Sequence, residues 1–256
     1  MDRTLDAREK FFNYTWDSRR EVFMFVFTET DRLFHFLWQA YEDKGHRYHG
    51  YFLDFFRRID TIIGKKIQGI REGDALIILS DHGFEKMERE VYVNNFLKDN
   101  GVLQKDCYCE NMELKIDAST EAFSLDPARI YVNCKDRFPR GGIEIGKKDK
   151  IMARLRELFS SWNIEGAKVI SKIFSGEEIY EGLFKKFSPD LVLVPNKGFS
   201  LRSSFGVNGI YSDGLPFTGK HTHEGAFMVT NFEIDAQSNF SVIDAGKIII
   251  KQTKSL

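Results

Sequence analysis

Five side chains stand in patterns that suit a divalent-metal centre. Asp31 and His35 are four residues apart, a spacing that stacks two side chains on one face of a helix, where both can reach one ion. Asp81 and His82 directly follow the apolar run ALIILS and directly precede Gly83. A strand-to-loop turn at that point can bring neighbouring side chains to one metal cluster, and glycine supplies the permissive backbone. His221 and His223 sit in TGKHTHEGAF, and either can serve as a ligand. Each pattern alone has an ordinary explanation. Asp31 can cap a helix or meet its dipole, His35 can be a satisfied core residue, and Asp81 can make an Asx turn. Together, two carboxylates and three imidazoles form a mixed N/O set suited to zinc or manganese. Paired ions there would clamp the attacking and leaving oxygens of a phosphoryl displacement. His46 and His49 lack the strand-end setting and read as surface residues.

The elements that must position these residues follow from hydrophobic patterning. EVFMFVFT (21–28) is an apolar run of strand length and reads as a buried strand. A helix is expected from about Asp31, and a second over 48–69, where Phe52, Phe55, Phe56, Ile59, Ile62, Ile63 and Ile67 share one side. A short strand over 75–80 comes next. Strand, helix, strand with polar residues after the strand ends predicts a parallel sheet with covering helices. Ligands of such sheets bind beyond the carboxyl ends of the strands, where Asp31 and the Asp81–His82 pair fall. Further strands are expected at 129–133, 190–195 and 226–230, a turn at 138–142, and an amphipathic helix over 147–162. The Gly/Ser-rich stretch 196–219 reads as loop or a small edge sheet near the site. With no repeat and no clear linker, the expectation is one domain over 1–256, with an irregular insert around 104–146.

Composition narrows the function. The 256 residues are 42% hydrophobic, enough for a substantial core. A net charge of −1, with acids and bases interspersed, favours a small anionic substrate over duplex nucleic acid. The 24 phenylalanines are spread along the chain and read as core, not as a base-stacking platform. Cys107, Cys109 and Cys134 are too few for a disulfide framework and read as reduced thiols of an intracellular, cytoplasmic protein. MDRTLDAREKFF has no apolar signal core, and no apolar run approaches roughly 18 to 20 residues, which argues against a membrane span.

Three ordered motifs carry a resemblance: T-x-T-D-R-x-x-H-x-x-W (28–38), S-D-H-G-F followed by VYVNNFLKDNGVL (80–103), and G-K-H-T-H-E-G-A-F (219–227). They resemble the type I phosphodiesterase/nucleotide pyrophosphatase family of the alkaline phosphatase superfamily. RIYVN…RFPRGGI, KIFSGEEIYEG and SPDLVLVPNKGF are similar to its microbial members. The resemblance implies an α/β, alkaline-phosphatase-like fold with a mostly parallel central sheet flanked by helices. It implies two divalent ions, zinc or manganese, one on Asp31, His35 and His221 and one on Asp81 and His82. His221 is preferred over His223 because it stands four residues before Gly225.

The family pattern also has an earlier strand ending in a metal-binding Asp, then a Thr or Ser nucleophile at a helix start. Thr4 and Thr15 do not follow such a strand, so the nucleophile is not placed in this chain. The expectation is therefore a C-terminal portion lacking the first strand and nucleophile helix, with a separate N-terminal fragment as a candidate partner. The implied activity is hydrolysis of phosphodiester or nucleotide pyrophosphate bonds in a small phosphoester or nucleotide substrate. The alternatives are a non-catalytic metal- or phosphoester-binding relic, and a phosphomonoester, phosphonate or sulfate-ester hydrolase of the same superfamily.

Overall fold

A computed structural model describes residues 1–17, 21–104, 116–204, 208–213, 216–234 and 240–253. The chain divides into two compact units, Met1–Lys86 with Pro216–Leu256, and Met87–Leu215. Among the described residues no helix is long and apolar enough to cross a membrane. Cys134 is a buried free thiol, whereas Cys107 and Cys109 lie outside the described residues.

The first unit is built on three helices. α1 (Asp2–Asp17), α2 (Glu29–Glu42) and α3 (His49–Ile67) bury Leu5 and Phe12, Leu33 and Ala40, and Phe52, Phe55, Ile59 and Ile62 in one cluster. On α3 the buried residues recur at three- and four-residue steps, so one stripe meets the core. α2 bends at Leu37, whose φ of −126° and ψ of 27° are not helical. Arg8 of α1 holds the start of α2 through Glu29 Oε1 (3.2 Å) and Thr28 Oγ1 (3.2 Å). Asp31, in the first turn of α2, thus rests on a fixed helix end.

The run 21–28 departs from the expected buried strand. Residues 22–27 form no strand ladder with any described residue. Phe23, Phe25 and Phe27 pack on Phe12 of α1, with ring centroids 6.0, 4.7 and 5.4 Å away. The alternate residues Val22, Met24 and Val26 are 58%, 83% and 53% exposed. Side chains of an extended segment alternate in direction, and among the described residues only one face has a layer to meet.

β1 (Ile77–Leu79) pairs antiparallel with β12 (Met228–Thr230). The bond from Ser80 N to Phe227 O (3.0 Å) continues this pairing to the residue before Asp81. β2 (Gly83–Tyr92) runs on from there, and its first residues pair antiparallel with β11 (Gly219–Thr222), His221 opposite Phe84. α7 (Val242–Thr253) closes the unit's chain order.

In the second unit, β3 (Ala122–Asp126), β4 (Arg129–Val132), β7 (Ile170–Ser175) and β8 (Leu191–Pro195) form an antiparallel sheet of order β3–β4–β8–β7. β3 and β4 fall inside 104–146, joined by a tight turn in which Ala128 has φ +71°. α4 (Val93–Asp99) and α5 (Lys148–Ser160) supply Phe96, Leu97, Ile151, Leu155 and Phe159 to the core. Trp162 stacks on Phe96 at 4.0 Å, β5 (Asn163–Ile164) and β6 (Ala167–Lys168) form a short antiparallel pair, and α6 (Gly176–Ile179) follows β7. The later part of β2 pairs in parallel with β9 (Gly198–Arg202) and antiparallel with β10 (Tyr211–Ser212), so 196–219 contains strands as well as loop.

The mixture of helices and strands agrees with the expected α/β class. The mostly parallel sheet does not form among the described residues, where β2–β9 is the one parallel pair of named strands. The reason lies in the partners. The 22–27 run does not pair with β1, β1 meets a late segment arriving in the opposite sense, and β3–β4 is a hairpin, which permits only antiparallel pairing.

Candidate metal centre

All five candidate residues lie in the first unit, on three local pieces of chain. Asp31 and His35 come from successive turns of α2, Asp81 and His82 from the turn between β1 and β2, and His221 from β11. Two glycines set the approach of these pieces. A β-carbon on Gly219 would lie 2.4 Å from the Phe34 carbonyl oxygen, and one on Gly83 would lie 1.8 Å from that of Glu224. Only an unsubstituted backbone lets β11 come this close to α2, and the 224–225 turn this close to the 81–83 turn.

The donor atoms converge. His221 Nε2 lies 2.8 Å from Asp31 Oδ1 and 3.0 Å from His35 Nε2, and His35 Nε2 lies 3.7 Å from the same Asp31 oxygen. Ligand atoms about 2.0 to 2.1 Å from a tetrahedral zinc ion stand roughly 3.3 Å from one another. The three observed edges bracket that value, so this donor set fits a small divalent ion. Asp31 Oδ1, His35 Nε2 and His221 Nε2 are the atoms able to hold it.

The surroundings orient His35 and lower the pKa of His221. His35 Nδ1 is 2.9 Å from the Gly219 carbonyl oxygen. A carbonyl can only accept, so Nδ1 carries the proton and Nε2 presents its lone pair to the cluster. Burial pushes the His221 pKa below its ordinary value, and nearby His82 and His35 push the same way against the raising effect of Asp31. Asp31 also stands at the positive end of the α2 dipole, which suits a carboxylate.

Asp81 and His82 are brought alongside. His82 Nε2 is 3.6 Å from Asp81 Oδ1 and 3.8 Å from Asp31 Oδ1, and the His82 ring stacks on His221 at 3.7 Å. The Asp81 side chain is 78% exposed. His223 is exposed and outside the converging group. His46 and His49 serve local backbone: His46 Nδ1 accepts from Tyr48 N at 3.2 Å, and His49 Nδ1 donates to Ala40 O at 2.8 Å.

Sequence reasoning passed over Phe84, whose ring lies against all three imidazoles. It also passed over the acceptor role of the Gly219 carbonyl. The available signal for Phe84 was its place two residues after His82, on the same side of an extended chain.

The sequence pattern of the type I phosphodiesterase / nucleotide pyrophosphatase family matches residues 1–225, a span that contains all five candidates. The chain belongs to this family. Its members are hydrolases, and the α/β, alkaline-phosphatase-like class implied by the motifs holds with that membership. Two solved structures are similar to the chain: phosphonoacetate hydrolase from Sinorhizobium meliloti 1021 in complex with phosphonoacetate, and the same enzyme with phosphonoformate. Both are 16% identical, with TM-scores of 0.40 and 0.39, and the match covers 82% of this chain and 48% of theirs. The chain spans about half the length of those structures. No curated protein matches it.

Proposed function

We propose that this chain carries most of a metal-dependent site that hydrolyses phosphodiester or nucleotide pyrophosphate bonds in a small substrate. The observation that carries the reading is the convergence of Asp31, His35 and His221 on one point, with the Asp81–His82 pair beside it. On this reading Asp31, His35 and His221 hold one zinc or manganese ion, and Asp81 and His82 contribute to a second. Such ions supply neutralisation of charge developing on phosphoryl oxygens and activation of bound water. The residues of the chain keep His35 in the tautomer that turns Nε2 to the cluster, lower the His221 pKa by burial, and set Asp31 in the first turn of a helix, where its dipole favours a carboxylate.

No residue of this chain is assigned as the nucleophile, a role that water bound to the metal would fill. Thr15 Oγ1 is engaged with the Phe11 and Phe12 carbonyls of its own helix (2.8 and 3.2 Å), which suits a helix residue and not a nucleophile. The run 22–27, which joins no strand ladder among the described residues and exposes Val22, Met24 and Val26, suits an additional strand at the segment leading to Asp31. A cytoplasmic setting fits the small number of cysteines.

Reconstitution with zinc or manganese, followed by assay on bis-p-nitrophenyl phosphate and p-nitrophenyl phosphate, tests the proposal. Diester turnover exceeding monoester turnover, and lost in His35→Ala and His221→Ala, is the expected result. Metal retention without turnover of either ester would favour a non-catalytic metal- or phosphoester-binding protein, a reading to which the exposed Asp81 carboxylate lends weight. Preference for the monoester would reassign the substrate class.

A further inference from the structure

We infer that Phe84 is a positioning residue that holds the three imidazoles of the site in register; the inference rests on the metal-site reading above. The histidines come from three different pieces of chain, with no covalent reason to share an orientation. One ring touches them all. The Phe84 centroid is 5.0 Å from His35 at an interplanar angle of 77°, 5.0 Å from His221 at 80°, and 5.5 Å from His82 at 58°. The two near-perpendicular pairs have the edge-to-face geometry that aromatic quadrupoles favour.

Phe84 is itself held in place. It stacks on Phe34 at 5.0 Å and 20°, and on Trp38 at 6.4 Å and 20°, and those two residues lie one before and three after His35 on α2. It is the register partner of His221 across the β2–β11 pair. A ring fixed by α2 and by β11 therefore ties the orientation of His35 to that of His221.

The three histidines depend on it unequally. His35 has the Gly219 carbonyl, and His82 Nδ1 lies 3.2 Å from the Gly83 carbonyl oxygen. Among the described residues the side-chain hydrogen bonds of His221 all run through Nε2, the atom facing the cluster, and none reaches its Nδ1. Its orientation away from the cluster rests on Phe84 and on stacking against His82. Ligand rings must be held within about 0.5 Å and 10–20° for a working site, and packing is what holds this one.

Cobalt(II) binding to the purified chain reads this directly, through affinity and the visible absorption band. Phe84→Leu keeps an apolar side chain but loses the ring, and should weaken cobalt binding roughly 10- to 100-fold, as losses of supporting contacts around a metal do, and alter the band. Phe84→Tyr keeps the ring and should retain wild-type affinity. Ile62→Ala, in the α3 core, should lower the melting temperature with cobalt affinity unchanged. Wild-type affinity and band in Phe84→Leu would overturn the inference, as would an equal loss in Ile62→Ala. If the wild-type chain binds no cobalt, the metal-site reading fails instead. In that case ring-to-ring NOEs between His82 and His221 in the metal-free protein decide: lost in Phe84→Leu and kept in Phe84→Tyr on our inference, kept in both if it is wrong.

Discussion

Two buried carboxylates, one in each unit, show how differently the two regions are finished. Asp190, in the second unit, is 5% exposed and fully engaged: Arg137 bonds both its oxygens (2.9 and 2.8 Å), Lys148 Nζ is 2.7 Å away, and Val132 N donates to it at 2.7 Å. Glu29, in the first unit, is wholly buried two residues before Asp31 and meets Arg8 through one oxygen. Its other oxygen has no hydrogen-bond partner among the described residues. The cores repeat the contrast. Among the described residues the second unit's cluster holds 22 buried hydrophobic residues and the first unit's holds eight. The region with the candidate chemistry is the less closed one.

That contrast can be broken at several points. The largest effect is expected at Asp190. Asp190→Ala strands two cations and a backbone N–H, and should cost about 3 kcal/mol in urea unfolding, the low end for a broken buried pair because both cations are partly exposed. Zinc affinity should stay at wild type. Glu29→Gln should cost under about 1 kcal/mol, since the bond lost is one of a half-satisfied carboxylate. Equal costs at the two sites would remove the distinction drawn here.

Gly219→Ala sharpens the comparison from the other side. Its new methyl would press on the Phe34 carbonyl, pushing β11 from α2 and pulling the Gly219 carbonyl from His35. Zinc affinity should fall about 10- to 100-fold, as read by competition with a chromogenic chelator. An unchanged affinity would show that the close approach does not set the ligand geometry.

Acid should find the first unit. The folded-state pKa of His221 is lowered from an ordinary 6.5, so below that value the unfolded chain binds this proton more readily than the folded one. Stability of the metal-free protein should therefore decline as pH falls from just above 6.5 toward the lowered folded value, and level off for this group below it. His221→Gln should remove that part of the decline in urea titrations at a series of pH values. The smallest effect is expected at Met24, 83% exposed. Met24→Lys should alter stability by no more than about 0.5 kcal/mol, yet reduce self-association measured by light scattering, because it replaces an exposed apolar side chain with a charge.

These differences also mark how far the fold and site were legible in the sequence. α2 and α3 were readable because Leu33, Phe52, Phe55, Ile59 and Ile62 repeat at helical steps, a property of the chain alone. The pairing of β1 with β12 was not, because apolar runs such as ALIILS and AFMVT specify strands without naming partners or direction. β2 went unread because GFEKMEREVY carries charges where a buried strand would carry aliphatics. Its buried residues emerge only where Met87 and Val91 meet their own unit. The five candidate ligands were legible because Asp and His after apolar runs are chemically distinctive. Phe84 was one of 24 phenylalanines, and its contacts arise only when α2, β2 and β11 come together. Likewise, Gly219 is an ordinary glycine until the Phe34 carbonyl stands 2.4 Å from where its side chain would begin.

The central claim is that Asp31, His35 and His221 hold a divalent ion in this chain. Equilibrium dialysis against zinc, with elemental analysis of the retained metal, tests it most directly. The account predicts at least one zinc per chain in the wild type and in His223→Ala, and its loss in His35→Ala and in His221→Ala. A wild-type chain that retains no zinc, or equal retention in all four proteins, would contradict it.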